Sequence, residues 1–96
     1  MYKEVYLRVK GRVQGIGYRN WAVRRASEIQ GLSGWVRNVE TGDVEMLLGG
    51  EESKIDEMII SCYKGPMLSR VDRIEFISGR VSGFLPVVQQ GVFIRI

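Results

Sequence analysis

The chain has 96 residues, a net charge of +3 and a hydrophobic fraction of 45%. That length predicts one domain with a thin shared core, and leaves no room for separate cofactor and substrate domains. One cysteine and no histidine exclude an internal disulfide and a Cys/His zinc site, and they fit a reducing compartment.

The mild positive excess suits a small anionic ligand and is too scattered to mark a nucleic-acid surface. Its basic pairs, such as Arg24-Arg25, read as solvated helix faces. The first residues lack the apolar run of a signal peptide, and no apolar stretch reaches the length of a membrane span. A cytoplasmic protein without membrane contact is expected.

In chain order, Val5 to Lys10 alternates apolar and polar side chains, predicting a strand with one covered face. A loop punctuated by Gly11, Gly15 and Gly17 follows. Tyr18, Ala22, Ala26 and Ile29 recur at helical spacing, predicting a helix to about Gln30 with Gly31 as its stop. Ser33 to Val39 and Val44 to Leu48 predict a hairpin that turns at Glu40-Thr41-Gly42 and is closed by Gly49-Gly50. Ile55, Met58, Ile59 and Cys62 make the apolar stripe of a second helix. Ser53 and Asp56 resemble a capping box near its start, and Gly65-Pro66 ends it. A strand from Arg70 to Ile77, an irregular stretch from Gly79 to Gly91 and a short strand from Val92 to Ile96 complete the chain. The order β-α-β-β-α-β, with one extra strand, predicts an α+β ferredoxin-like sandwich, with both helices on one face of an antiparallel sheet. Fold alone does not assign function.

The informative segment is Gly11 to Asn20, which leaves a strand, turns through glycines and enters a helix. Such glycines let successive N–H groups point inward as an anion nest, and a helix start adds free amides and a favourable dipole. Arg19 can place a planar charged fork on phosphate oxygens. Taken alone, a loop of this kind is more often a plain strand-to-helix turn. As a nucleotide loop it fails: position 20 is Asn where a third glycine would stand, and no Gly-Lys-Ser/Thr occurs.

A second segment, Gly34-Trp35-Val36-Arg37-Asn38, changes the balance. Together with Gly11-Arg12-Val13-Gln14-Gly15-Ile16-Gly17-Tyr18-Arg19 it resembles the two signatures of the acylphosphatase family. The likeness continues through Thr41-Gly42 and Gly65-Pro66 to Val71. The resemblance implies a ferredoxin-like sandwich that hydrolyses the carboxyl–phosphate bond of small acyl phosphates, as a monomer and with no metal or cofactor. In that family an arginine and loop amides bind phosphate while an asparagine positions the attacking water. These roles map onto Arg19 and Asn38, with Gln14, Gly15, Ile16, Gly17 and Tyr18 lending backbone N–H groups. The departures are Ile16 for the usual valine, Tyr18 for the common phenylalanine, Thr41-Gly42 for Asp-Gly, and one extra residue between Arg19 and Asn38, placed near Gln30-Gly31. An insertion there is absorbed at the helix end, whereas a one-residue slip of the second strand would turn Asn38 to the wrong face.

The inventory suits that chemistry. An acyl phosphate expels a carboxylate, which needs no general acid, whereas a monoester expels a poor alkoxide and usually recruits a metal or an acid. Cys62 lacks the arginine of a Cys-x5-Arg loop, since position 68 is Leu, and its helical stripe makes it core. Glu40 and Asp43 flank a turn and read as solvated carboxylates, and Trp21 and Trp35 read as packing residues. A non-catalytic binding module of the same layout is the alternative. For RNA, the third strand, Asp43 to Leu48, offers no aromatic and two acids. A similar loop also occurs in the acylphosphatase-like domain of hydrogenase-maturation carbamoyltransferases, whose chains continue into zinc-binding and catalytic regions not present in this sequence.

Overall fold

The first strand, β1 (Tyr2–Arg12), shows how alternation becomes a two-faced sheet. Leu7 and Val9 are fully buried on one face, while Tyr6 and Arg8 take the other. The structure is a computed structural model that describes residues 2–77 and 91–96; the stretch 79–90 expected to be irregular lies outside them. Six further elements follow: α1 (Tyr18–Glu28), β2 (Ser33–Asn38), β3 (Val44–Glu51), α2 (Glu52–Lys64), β4 (Arg70–Ile77) and β5 (Phe93–Arg95).

The strands form one sheet in the order β4-β1-β3-β2-β5. β1 pairs antiparallel with β3 and β4, and β2 antiparallel with β3, as the predicted sandwich requires. β5 joins β2 in parallel, so the sheet is mixed at that edge rather than wholly antiparallel. Tyr18, Ala22 and Ala26 of α1 and Ile55, Met58 and Cys62 of α2 pack with Leu7, Val9, Val36, Val44, Met46 and Leu48 of the sheet into the main core. Tyr18 joins the helices by donating its hydroxyl to the Cys62 carbonyl at 2.8 Å. Cys62 is core, as expected. Trp35 is fully buried with Tyr6 and Leu47 on the other face, and Trp21 packs half-buried against the main core.

Several boundaries differ from expectation for local reasons. Gly11 belongs to β1, at a register shift beside Lys10, because the β4 backbone passes too close for any side chain: a Cβ there would lie 2.1 Å from the Arg70 carbonyl. Gly49-Gly50 does not close the hairpin. Both pair within β3, where the Tyr2 ring occupies the space a Gly49 Cβ would need. β3 therefore runs straight into α2, whose N-cap is Glu51, and no side-chain capping bond forms. Ser53 sits inside the first turn, so the expected capping box is absent. α1 ends at Glu28, and the turn Ile29–Leu32 carries the chain to β2.

The second face of the sheet carries a charge cluster. The Glu45 carboxylate is only 4% exposed and accepts hydrogen bonds from Tyr6, Arg8 and Arg37. Burial alone would push its carboxyl up; the three donors outweigh that and hold it below its ordinary value. Arg37 also lies over the Trp35 ring, 4.7 Å from its centroid.

Candidate active site

Val13 is fully buried in the core and anchors the segment that leaves β1. Beyond it, Gly15 and Gly17 take left-handed φ values of 76° and 81° with open space around both, so backbone shape, not crowding, selects glycine there. Gly17 caps α1, and no acidic residue occurs in the helix's first turn. The positive end of the helix dipole thus faces no acid of its own first turn and receives no side-chain cap.

A cavity of about 220 Å³ opens at this point. Gly15, Gly17, Tyr18 and Arg19 line one side, and Asn38 at the end of β2 lines another. The pairing of Asn38 with Val44 fixes that placement: Gly34, Val36 and Asn38 share the helix-facing side of β2. The slip that the extra residue before β2 could have caused does not occur. Arg19 is held by a 2.9 Å hydrogen bond from its Nη1 to the backbone oxygen of Ile96. No group of three or more His, Cys, Asp or Glu side chains is placed to hold a metal among the described residues, and no carboxylate lines the cavity among them.

Gln14 and Ile16, expected to lend backbone N–H groups, are not among the residues that line the cavity. Ile16 packs against the core. Gln14 reaches away from the cavity and donates from Nε2 to the carbonyls of Val39 at 2.7 Å and Asp43 at 2.8 Å. Two residues that the sequence reading did not single out, Asn20 and Arg95, also line the cavity, and Arg95 donates from Nη1 to Asn20 Oδ1 at 2.7 Å. Asn20 could have been found from its place in the first helical turn. Arg95 depends on β5 docking beside β2, which no local pattern announces.

Matched against known families, residues 5–86 fit the profile of the family described as Acylphosphatase. The chain belongs to the acylphosphatase family. An acylphosphatase of Rhodopseudomonas palustris (strain BisB5) is 53% identical over 66 residues, covering 69% of this chain and 66% of that relative. One from Methylococcus capsulatus is 43% identical over 81 residues, covering 84% of this chain and 87% of its own length. The crystal structure of acylphosphatase from Bacillus subtilis superposes with a TM-score of 0.81 at 29% identity, covering 100% of this chain and 99% of that one. Acylphosphatase membership brings the reaction class: a hydrolase acting on small acyl phosphates. Among the described residues, no helix is long and apolar enough to cross a membrane.

Two other sequence expectations need correction or support. Asp43 is not a solvated turn carboxylate: it is buried, accepts from the Thr41 hydroxyl at 2.8 Å and pairs with Lys10 at 3.4 Å. Burial opposes its charge, but these partners hold its carboxyl below the ordinary value. Glu40 is exposed, as expected. Of the Arg24-Arg25 pair only Arg24 is a solvated face; Arg25 bonds Ser61 and pairs with Glu57 on α2.

Proposed function

We propose that the phosphoryl group of an acyl phosphate sits in the cavity between the Gly15–Arg19 segment and Asn38, held by the Arg19 guanidinium and the first amides of α1. The observation that carries this reading is the convergence on one cavity of Arg19, an acid-free helix N-terminus and Asn38. Fixed donors around the transferring oxygens stabilise charge as it develops, without reorganisation during the step. Asn38, a neutral amide, accepts from the water through its side-chain oxygen and holds it in line with the scissile P–O bond. The water oxygen bonds to phosphorus as the bond to the acyl oxygen breaks. The carboxylate leaves with the electron pair, and the water proton passes to a phosphoryl oxygen of the substrate. A carboxylate leaves without a proton or a cation, so the step needs no metal.

The same reading has residues 1–96 act as one domain, a cytoplasmic monomer without a nucleic-acid partner. Its support is a single cysteine that is buried and unpaired and a modest net charge of +3. The deciding experiment is hydrolysis of benzoyl phosphate, with phenyl phosphate as the monoester control, with and without a strong chelator. Rapid turnover of the acyl phosphate alone, unchanged by the chelator, is expected. Turnover of the monoester, or activity that the chelator removes and one divalent ion restores, overturns the mechanism.

A further inference from the structure

The Gln14 side chain joins the two halves of the proposed site. β1 and β2 are not neighbours in the sheet; β3 lies between them. The segment that follows β1 and the strand end that carries Asn38 therefore share no strand ladder. Gln14 closes that gap with a single carboxamide nitrogen. Both of its hydrogens are used, one on the Val39 carbonyl at 2.7 Å and one on the Asp43 carbonyl at 2.8 Å.

Those acceptors are the residues just beyond the last pair of the β2–β3 ladder, Asn38 opposite Val44. The turn between them is already tied: Val39 N donates to the Asp43 carbonyl at 3.0 Å, and Gly42 N donates to the Val39 carbonyl at 3.1 Å. Each carbonyl thus uses its second lone pair on Gln14. The nearest main-chain neighbour of Asn38 is consequently fixed to the residue beside Gly15. No other residue type supplies two such donors at this length without adding charge.

We infer that Gln14 is a positioning residue for the attacking water: it sets the distance between the phosphoryl group held by the loop and the water held by Asn38. This rests on the water-positioning reading of Asn38 given above. In-line attack needs the reacting atoms about 3–3.5 Å apart, and a misplacement of about 1 Å costs on the order of 100-fold in rate. Loss of the tether moves the hairpin relative to the loop, yet leaves Arg19 and the first turn of α1 where they are. The water is misplaced and the phosphate site is not.

The test compares the wild type, Gln14→Met, Asn38→Ala and the double variant, reading kcat on benzoyl phosphate and the inhibition constant of inorganic phosphate. Gln14→Met is expected to lower kcat by about 10-fold to 100-fold while the phosphate constant stays within about twofold. In the Asn38→Ala background the same change is expected to alter kcat by less than about twofold, because Gln14 acts through Asn38. Gln14→Asn, which keeps both donors but falls one methylene short, is expected to repeat the loss and covers the case in which Gln14→Met does not fold. Equal losses in both backgrounds, or a loss confined to phosphate binding, overturns the inference alone. Full turnover in Asn38→Ala overturns the reading beneath it, and the inference with it.

Discussion

Glu45→Gln removes one negative charge from the second sheet face and keeps the side chain's shape, so it isolates the electrostatic contribution of the cluster. In the wild type the carboxylate is 4% exposed and accepts from Tyr6, Arg8 and Arg37. Hydrogen bonds to a charged group contribute about 1.5–3 kcal/mol each, and removing one partner of a well-buried ion pair costs about 3–5 kcal/mol. Arg8 and Arg37 are 31% and 25% exposed, so water replaces part of what each loses. A net loss of about 2–3 kcal/mol follows. At about 4–8 °C per kcal/mol for a domain of this size, Tm is expected to fall by about 10–20 °C. The assay is urea unfolding at pH 7 alongside a thermal melt. The pH dependence adds a second check. The folded carboxyl lies below its ordinary value of 4.5, so its stabilisation is present above that value and is lost as the pH falls through the folded value. The difference between wild type and Glu45→Gln should therefore be full at pH 7 and shrink below about pH 4.5. A Glu45→Gln protein within about 0.5 kcal/mol of wild type at pH 7, a range typical of surface substitutions, would refute the reasoning.

Turnover should vary little between about pH 5 and 8, because the chain has no histidine and an arginine does not titrate there; a bell-shaped kcat profile centred near neutrality would reveal a base that the site does not show. Cys62 is fully buried and burial pushes its thiol up to about 12, so a thiol-directed alkylating agent should react only as the protein unfolds. Mass spectrometry against time checks this, and modification of the native protein with loss of activity would give Cys62 a role assigned to it nowhere above.

The element order was legible because the apolar periods are clean: Tyr18, Ala22 and Ala26 on α1 and Ile55, Met58 and Cys62 on α2 are the residues that reach the core. Glycines were harder to read. Gly15 and Gly17 serve a turn, but Gly11 and Gly49 serve close approach inside strands, where Arg70 and Tyr2 crowd them. A sequence shows the glycine and not its neighbour. The first candidate residues, Arg19 and Asn38, were found through two short segments, and β2 brings Asn38 to the cavity wall with Arg19. The sequence offers Gln14 only through its backbone, because the acceptors of its side chain lie 25 and 29 positions away. The burial of Asp43 is not legible in the sequence because its partner, Lys10, comes from another strand. Long-range pairing of polar groups leaves no periodic trace.

The central claim is a division of labour between Arg19 and Asn38, and Asn38→Ala tests it most directly. Asn38 is exposed at the end of β2, so the variant should keep the wild-type far-UV spectrum and melt. Its kcat on benzoyl phosphate should fall by about two to three orders of magnitude, the cost of losing one preorganised polar group, while inorganic phosphate still inhibits with nearly wild-type affinity through Arg19 and the loop. A folded Asn38→Ala protein with nearly full turnover, or one that has lost phosphate binding along with turnover, would contradict the account.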